Sequence, residues 1–139
     1  MTTATDWRIC KSDMDSPAQD KRLLLVDDEV EFGEIIERIA LKLGFSVCKT
    51  TQPSAFQRQY DTCNPTHIVL DMIMPEMDGI ELMEWLAQRG CKAKIIVISG
   101  YNSQYGNTAR TAAASNGLDV VATLSKPFSV SAVRSILSL

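Results

Sequence analysis

Short, wholly apolar runs alternate along this chain with longer stretches in which apolar residues recur at helical spacing. Leu23 to Val26 is an unbroken apolar run, as a strand covered on both faces requires. Phe32, Ile35, Ile36, Ile39, Ala40 and Leu43 then follow helical spacing, and Gly44 is placed to end that helix. Phe45 to Thr50 reads as a second strand, and Pro53 suits the first turn of a second helix through Phe56 and Tyr60. His67 to Leu70 reads as a third strand. Ile80, Met83, Leu86 and Ala87 mark a third helix, closed by Gly90. Ala93 to Ile98 is a strongly β-branched fourth strand. A polar loop and an alanine-rich fourth helix follow, roughly Tyr105 to Asn116, ending at Gly117. Val120 to Leu124 is a fifth strand, and Val130, Val133, Ile136 and Leu137 give a last helix. Strands alternating with helices predict an α/β fold: a doubly wound, five-stranded parallel sheet with right-handed crossovers and helices on both faces.

Residues Met1 to Asp20 are polar and lack periodicity, which predicts a flexible leader ahead of one domain over residues 21–139. The chain has 139 residues, 45% hydrophobic and 22% charged, so it is large enough to fold without disulfides or metal. A net charge of −3 argues against a nucleic-acid face or a basic membrane patch. The apolar runs are too short to span a bilayer, and Met1 to Cys10 has no apolar core of a secretory signal, so a cytoplasmic location is expected. Cys10, Cys48, Cys63 and Cys91 are far apart and lack zinc-type spacing, so they are expected to be free thiols. His67, the single histidine, is expected to be a strand-entry residue with little functional weight.

In a doubly wound sheet a site forms at the carboxyl ends of the strands. Here those ends are acidic. Strand one runs into Asp27, Asp28 and Glu29, and strand three into Asp71; strand four ends in Ser99, and strand five leads to Lys126-Pro127. Carboxylates brought together repel, and each has a raised pKa unless a cation sits among them. Magnesium suits such a site, because it accepts one or two carboxylates, keeps several waters and leaves room for phosphate oxygens. A lysine adds a fixed positive charge, a serine hydroxyl can bond a phosphoryl oxygen, and an aspartate can act as nucleophile toward phosphorus. Taken singly, each acid could merely cap a loop or the next helix, as Asp28 and Glu29 would favour a helix N-terminus. Taken together with Ser99 and Lys126, they point to phosphoryl transfer.

Four segments carry a family resemblance: Leu-Val-Asp-Asp-Glu at 25–29, Leu-Asp-Met-Ile-Met-Pro-Glu-Met-Asp-Gly at 70–79, Ile-Ser-Gly at 98–100 and Ser-Lys-Pro-Phe at 125–128. In this order, from about Lys21 to the C-terminus, they resemble the response-regulator receiver family of two-component signalling. The resemblance implies a flavodoxin-like sheet of strand order 2-1-3-4-5. It implies that Asp71 accepts a phosphoryl group from a histidine kinase or histidine phosphotransfer protein with Mg2+. It implies Asp28 as a direct metal ligand, Asp27 as one acting largely through water, with Asp71 and the Ile73 backbone carbonyl completing the protein ligands. Ser99 matches the switch hydroxyl and Lys126 the lysine that contacts the phosphoryl group; the bond to Pro127 is often cis in the family. The chain would then be a signalling switch rather than a turnover enzyme.

Pro75 and Gly79 are expected to shape the loop after Asp71, the glycine by permitting an unusual backbone angle. Met72, Met74 and Met77 are expected to serve packing. Two departures from the family stand out. Thr123 occupies the place, three before the lysine, where the family often carries a switching aromatic. Ile73 is apolar where many relatives are polar, which with Tyr101 predicts restricted water attack and slow self-hydrolysis. The polar stretch Tyr101 to Asn107 is expected to be mobile and to border the site. Phosphorylation would draw Ser99 and Lys126 inward and reshape the face of the fourth helix, fifth strand and fifth helix, through which the family dimerises or binds an effector or output domain. Three alternatives are weaker. A haloacid-dehalogenase-type phosphatase needs a second aspartate at Ile73. A flavodoxin-like cofactor binder needs a phosphate loop where Asp27-Asp28-Glu29 stand. A phosphate-independent scaffold would not need the complete acid set.

Overall fold

The computed structural model describes residues 20–100, 111 and 116–139. The leader with Cys10, the stretch Tyr101 to Asn107 and most of the expected fourth helix lie outside the described residues. Five parallel strands form one sheet in the order β2-β1-β3-β4-β5. They are β1 (Arg22–Val26), β2 (Ser46–Thr50), β3 (His67–Asp71), β4 (Lys94–Ser99) and β5 (Asp119–Ser125). The described helices are α1 (Val30–Lys42), α2 (Pro53–Cys63), α3 (Gly79–Gln88) and, at the C-terminal end, α4 (Val130–Leu137).

The strand pleat sorts the core into two layers. Leu24, Val26, Ile68, Leu70, Ile95 and Val97 face α2 and α3, packing on Phe56, Leu82 and Leu86. Leu23, Leu25, Val69, Ile96 and Ile98 face α1 and α4, packing on Ile36, Ile39, Val133 and Leu137. The unbroken apolar runs in the sequence reflect this two-sided burial.

Helix ends follow local chemistry. Gly44 and Gly90 adopt left-handed φ of +92° and +66° just past α1 and α3, and Asn64 does so past α2 at 46°. Pro53 opens α2, and a capping box between Asp78 and Glu81 opens α3. Met72 and Met74 are buried, and Met77 packs against the same core. Cys48, Cys63 and Cys91 form no disulfide.

Gly79 is needed for a different reason from the expected one. Its backbone is not left-handed; instead, a Cβ there would stand 2.8 Å from the Met72 Cα and would collide with the Met72 side chain. Gly79 N–H donates to the Met72 carbonyl at 2.9 Å, so the start of α3 is drawn onto the backbone just after Asp71. Between β4 and β5 a bulge at Ile95/Ile96 advances β5 by one residue, so that Ser99 pairs with Ser125.

Two predictions follow from this packing. Gly79→Ala forces apart backbone segments that cannot yield cheaply, and is expected to lower stability by about 2–3 kcal/mol in urea unfolding. His67 lies at the start of β3 with its ring edge-on to Phe45 at 4.9 Å. Burial, then Lys94 and Lys21, push its pKa from 6.5 down to about 4. Between those values the unfolded chain binds more protons, so this contribution to stability rises with pH and is lost on acidification. His67→Gln should flatten the dependence by about 1–2 kcal/mol, discounted for its partial exposure, in unfolding at about pH 4.5 and pH 7.5.

Candidate phosphoacceptor site

The strand register sets the site. Val26 pairs with Leu70 and Asp71 with Ile98, so Asp27, Asp71 and Ser99 emerge within a residue of one another at the carboxyl edge. β5 places Ser125 beside Ser99, and Lys126 follows, its N–H donating to the Ser99 carbonyl at 3.1 Å. The Lys126–Pro127 peptide bond is cis.

Asp27, Asp71, Ser99 and Lys126 are the buried polar residues among those described. Lys126 Nζ donates to Asp27 Oδ1 at 3.2 Å, to Asp71 Oδ2 at 3.3 Å and to Glu29 Oε1 at 2.5 Å. Asp27 Oδ1 also accepts from the Glu29 N–H at 2.9 Å, which turns the chain from β1 into α1. Asp71 Oδ1 accepts from the Ile73 N–H at 3.2 Å, which sets the Ile73 backbone beside the Asp71 carboxylate. The Ile73 side chain is 58% exposed. Ser99 Oγ is buried and donates to the Leu124 carbonyl at 3.5 Å, a weak contact that leaves the hydroxyl loosely held.

Burial first, and then the Asp27 carboxylate beside it, raise the Asp71 pKa to about 7, against the opposing effects of Lys126 and the Ile73 N–H. For Lys126, burial works against the charge, but the bond to Glu29 and the charges of Asp71 and Asp27 outweigh it and raise the pKa.

Asp27, Asp28, Glu29 and Asp71 each bring a carboxylate oxygen into a group lying within 4.8 Å of one another. One ammonium cannot neutralise four carboxylates. Asp27 Oδ2 is buried without a hydrogen-bond partner, and such an orphaned anionic oxygen is costly unless something positive meets it. An all-oxygen donor set with a buried unpartnered carboxylate oxygen fits a hard divalent cation such as magnesium.

The residues singled out in the sequence thus stand at one rim: Asp27, Asp28, Asp71 and Lys126 by side-chain geometry, Ser99 and Ile73 by register and backbone. Sequence reasoning missed two. By sequence Glu29 suits a helix N-terminus, yet its side chain makes no cap and pairs with Lys126 instead. Phe32 fits the apolar face of the first helix, yet its ring lies 4.6 Å from Lys126 Nζ. Their i, i+3 spacing, which puts both on one side of the first helical turn, was the available signal.

Comparison with known proteins places the chain in a family. The family model described as the response regulator receiver domain matches residues 23–138. The chain is similar to the chemotaxis protein CheY of Bacillus subtilis, 33% identical over 84 residues that cover 60% of this chain and 70% of that protein. It is also similar to the photosynthetic apparatus regulatory protein RegA of Rhodobacter capsulatus, 32% identical over 108 residues covering 78% of this chain and 56% of RegA. Among solved structures, a response regulator from Colwellia psychrerythraea superposes with a TM-score of 0.69 at 30% identity, covering 85% of this chain and 94% of that one. A CheY-like receiver domain from Methanospirillum hungatei has a TM-score of 0.74 at 21% identity, covering 86% and 92%, and shares the fold. With a family match across nearly all of the described sheet and its strand-end acids, the chain belongs to the response-regulator receiver family of two-component signalling.

Proposed function

We propose that this receiver domain is switched by phosphorylation of Asp71, with the phosphoryl group coming from a histidine kinase or histidine phosphotransfer protein. One observation carries the reading: a buried aspartate at the end of the central strand lies within reach of a buried lysine and shares a 4.8 Å cluster with three other acids. In the transfer, an Asp71 carboxylate oxygen forms a bond to phosphorus as the phosphorus–nitrogen bond of the donor histidine breaks, and the released imidazole takes up a proton. Asp28 would hold Mg2+ directly, Asp27 largely through water, with Asp71 and the Ile73 carbonyl completing the protein ligands. The ion would neutralise charge on the phosphoryl oxygens. Lys126 supplies a second, fixed positive charge, and Ser99 a hydroxyl free enough to turn toward a phosphoryl oxygen.

Phosphorylation adds about −1.5 to −2 charge and three acceptor oxygens. Lys126 and Ser99 gain phosphoryl oxygens as partners only in that state, which gives the differential contact energy a switch requires. Ser99 lies on β4 and Lys126 directly after β5, so their movement is passed to the face that includes β5 and the C-terminal helix α4. That face would bind an effector or output domain, or a second copy of the chain. Thr123 on β5 supplies no aromatic ring for this step. No described helix is long and apolar enough to cross a membrane.

The direct test is incubation with magnesium and acetyl phosphate, followed by intact mass. The wild-type chain is expected to gain one phosphoryl group. Asp71→Asn, or removal of magnesium by chelation, should abolish the gain; labelling that survives Asp71→Asn would defeat the assignment.

Ile73 bears on the lifetime of the phosphorylated state. Its backbone N–H bonds the Asp71 carboxylate, and its exposed apolar side chain can neither orient nor deprotonate an attacking water. Slow self-hydrolysis is expected. Ile73→Asn should shorten the phosphoryl half-life by about three- to tenfold, a modest water-positioning effect, measured by the decay of the phosphorylated mass.

A further inference from the structure

The Lys126 ammonium has three N–H bonds and three carboxylate oxygens to receive them, from Asp27, Asp71 and Glu29. The Glu29 contact is the shortest at 2.5 Å, although the Glu29 side chain is 54% exposed while those of Asp27 and Asp71 are buried. Phe32, on the same turn of α1, lays its ring 4.6 Å from the ammonium and is braced by Phe128 at 5.1 Å. The start of α1 therefore holds Lys126 from two sides, by charge and by an aromatic face.

Phosphorylation turns the Asp71 carboxylate into an uncharged acyl link, so the N–H that Asp71 holds passes to the phosphoryl group, whose negative charge and three acceptor oxygens draw the ammonium further toward them. A second contact then has to open. Opening Asp27 strips a counter-charge from a buried carboxylate, which is costly. Opening Glu29 costs little, because that carboxylate is already half in water and rehydrates. We infer that Glu29 is a latch on Lys126, holding the ammonium in the resting state and releasing it when Asp71 is phosphorylated. Glu29 is thus a positioning residue acting through Lys126. The inference rests on the phosphoacceptor reading of Asp71 and adds to it a residue that stabilises the resting state. A contact made only before transfer favours the reactant, so weakening it speeds phosphorylation.

The test compares wild type, Glu29→Gln and Glu29→Asp for the rate of phosphorylation by acetyl phosphate in excess magnesium, read by intact mass. Gln removes the charge, whereas Asp keeps it on a side chain one methylene shorter, which weakens the reach to Lys126. Both variants should be faster by about three- to fivefold, the range set by a half-exposed ion pair. A second arm follows the Lys126 ammonium by nitrogen NMR in the metal-free, unphosphorylated protein. Its signal should be protected from solvent exchange in wild type and exchange faster in both variants. Wild-type rates in both variants would overturn the latch. So would acceleration by Gln alone, which would make Glu29 merely a charge that repels an anionic donor, or an ammonium signal that neither substitution alters. If the wild-type chain accepted no phosphoryl group at Asp71, the phosphoacceptor reading would fall, and the ammonium arm would still decide whether Glu29 holds Lys126.

Discussion

The site depends on the attraction between one buried ammonium and the carboxylates around it. Asp27 and Asp71 stand at the ends of adjacent strands, both almost wholly removed from water. Two such charges repel, and burial penalises each. Lys126 reaches across from the end of β5 to both and makes their proximity tolerable. The compensation is incomplete, since Asp27 Oδ2 remains unpartnered and the Asp71 pKa stays raised. That residue of uncompensated negative charge fits a hard divalent cation.

Stability and function are therefore drawn from different parts of the molecule. The two apolar layers on either side of the sheet hold the strands in register, with Leu23 to Val26 and Ile95 to Ile98 completely buried. Each fully buried leucine or isoleucine contributes about 1.5–3 kcal/mol. The carboxyl edge spends part of that stability on crowded acids. A rigid, two-sided sheet is what allows the crowding, because strands fixed by both layers cannot splay to relieve it.

Backbone details complete the placement. The close approach of Gly79 to Met72 pins the segment after Asp71. The Asp27 side chain takes the Glu29 N–H and turns the chain into α1, so the acid run stays at the rim. The bulge in β5 shifts the pairing by one residue. Without it Ser99 would face Leu124, and the lysine would lie one residue farther along the edge.

The order of elements, the two-sided burial of the strands and the identity of the acids, serine and lysine were legible in the sequence, because periodicity and turn chemistry are local properties. Strand ends fell within about a residue of the expected positions, and Gly44, Gly90 and Pro53 served the helix boundaries they suggested. Four motifs in fixed order then gave the family. Three things were decided only by tertiary structure. Gly79 is required for a backbone contact rather than a backbone angle, Glu29 pairs with a lysine 97 residues away, and β5 carries a bulge. Each depends on distances between segments remote in sequence, which packing alone sets and which no local pattern records.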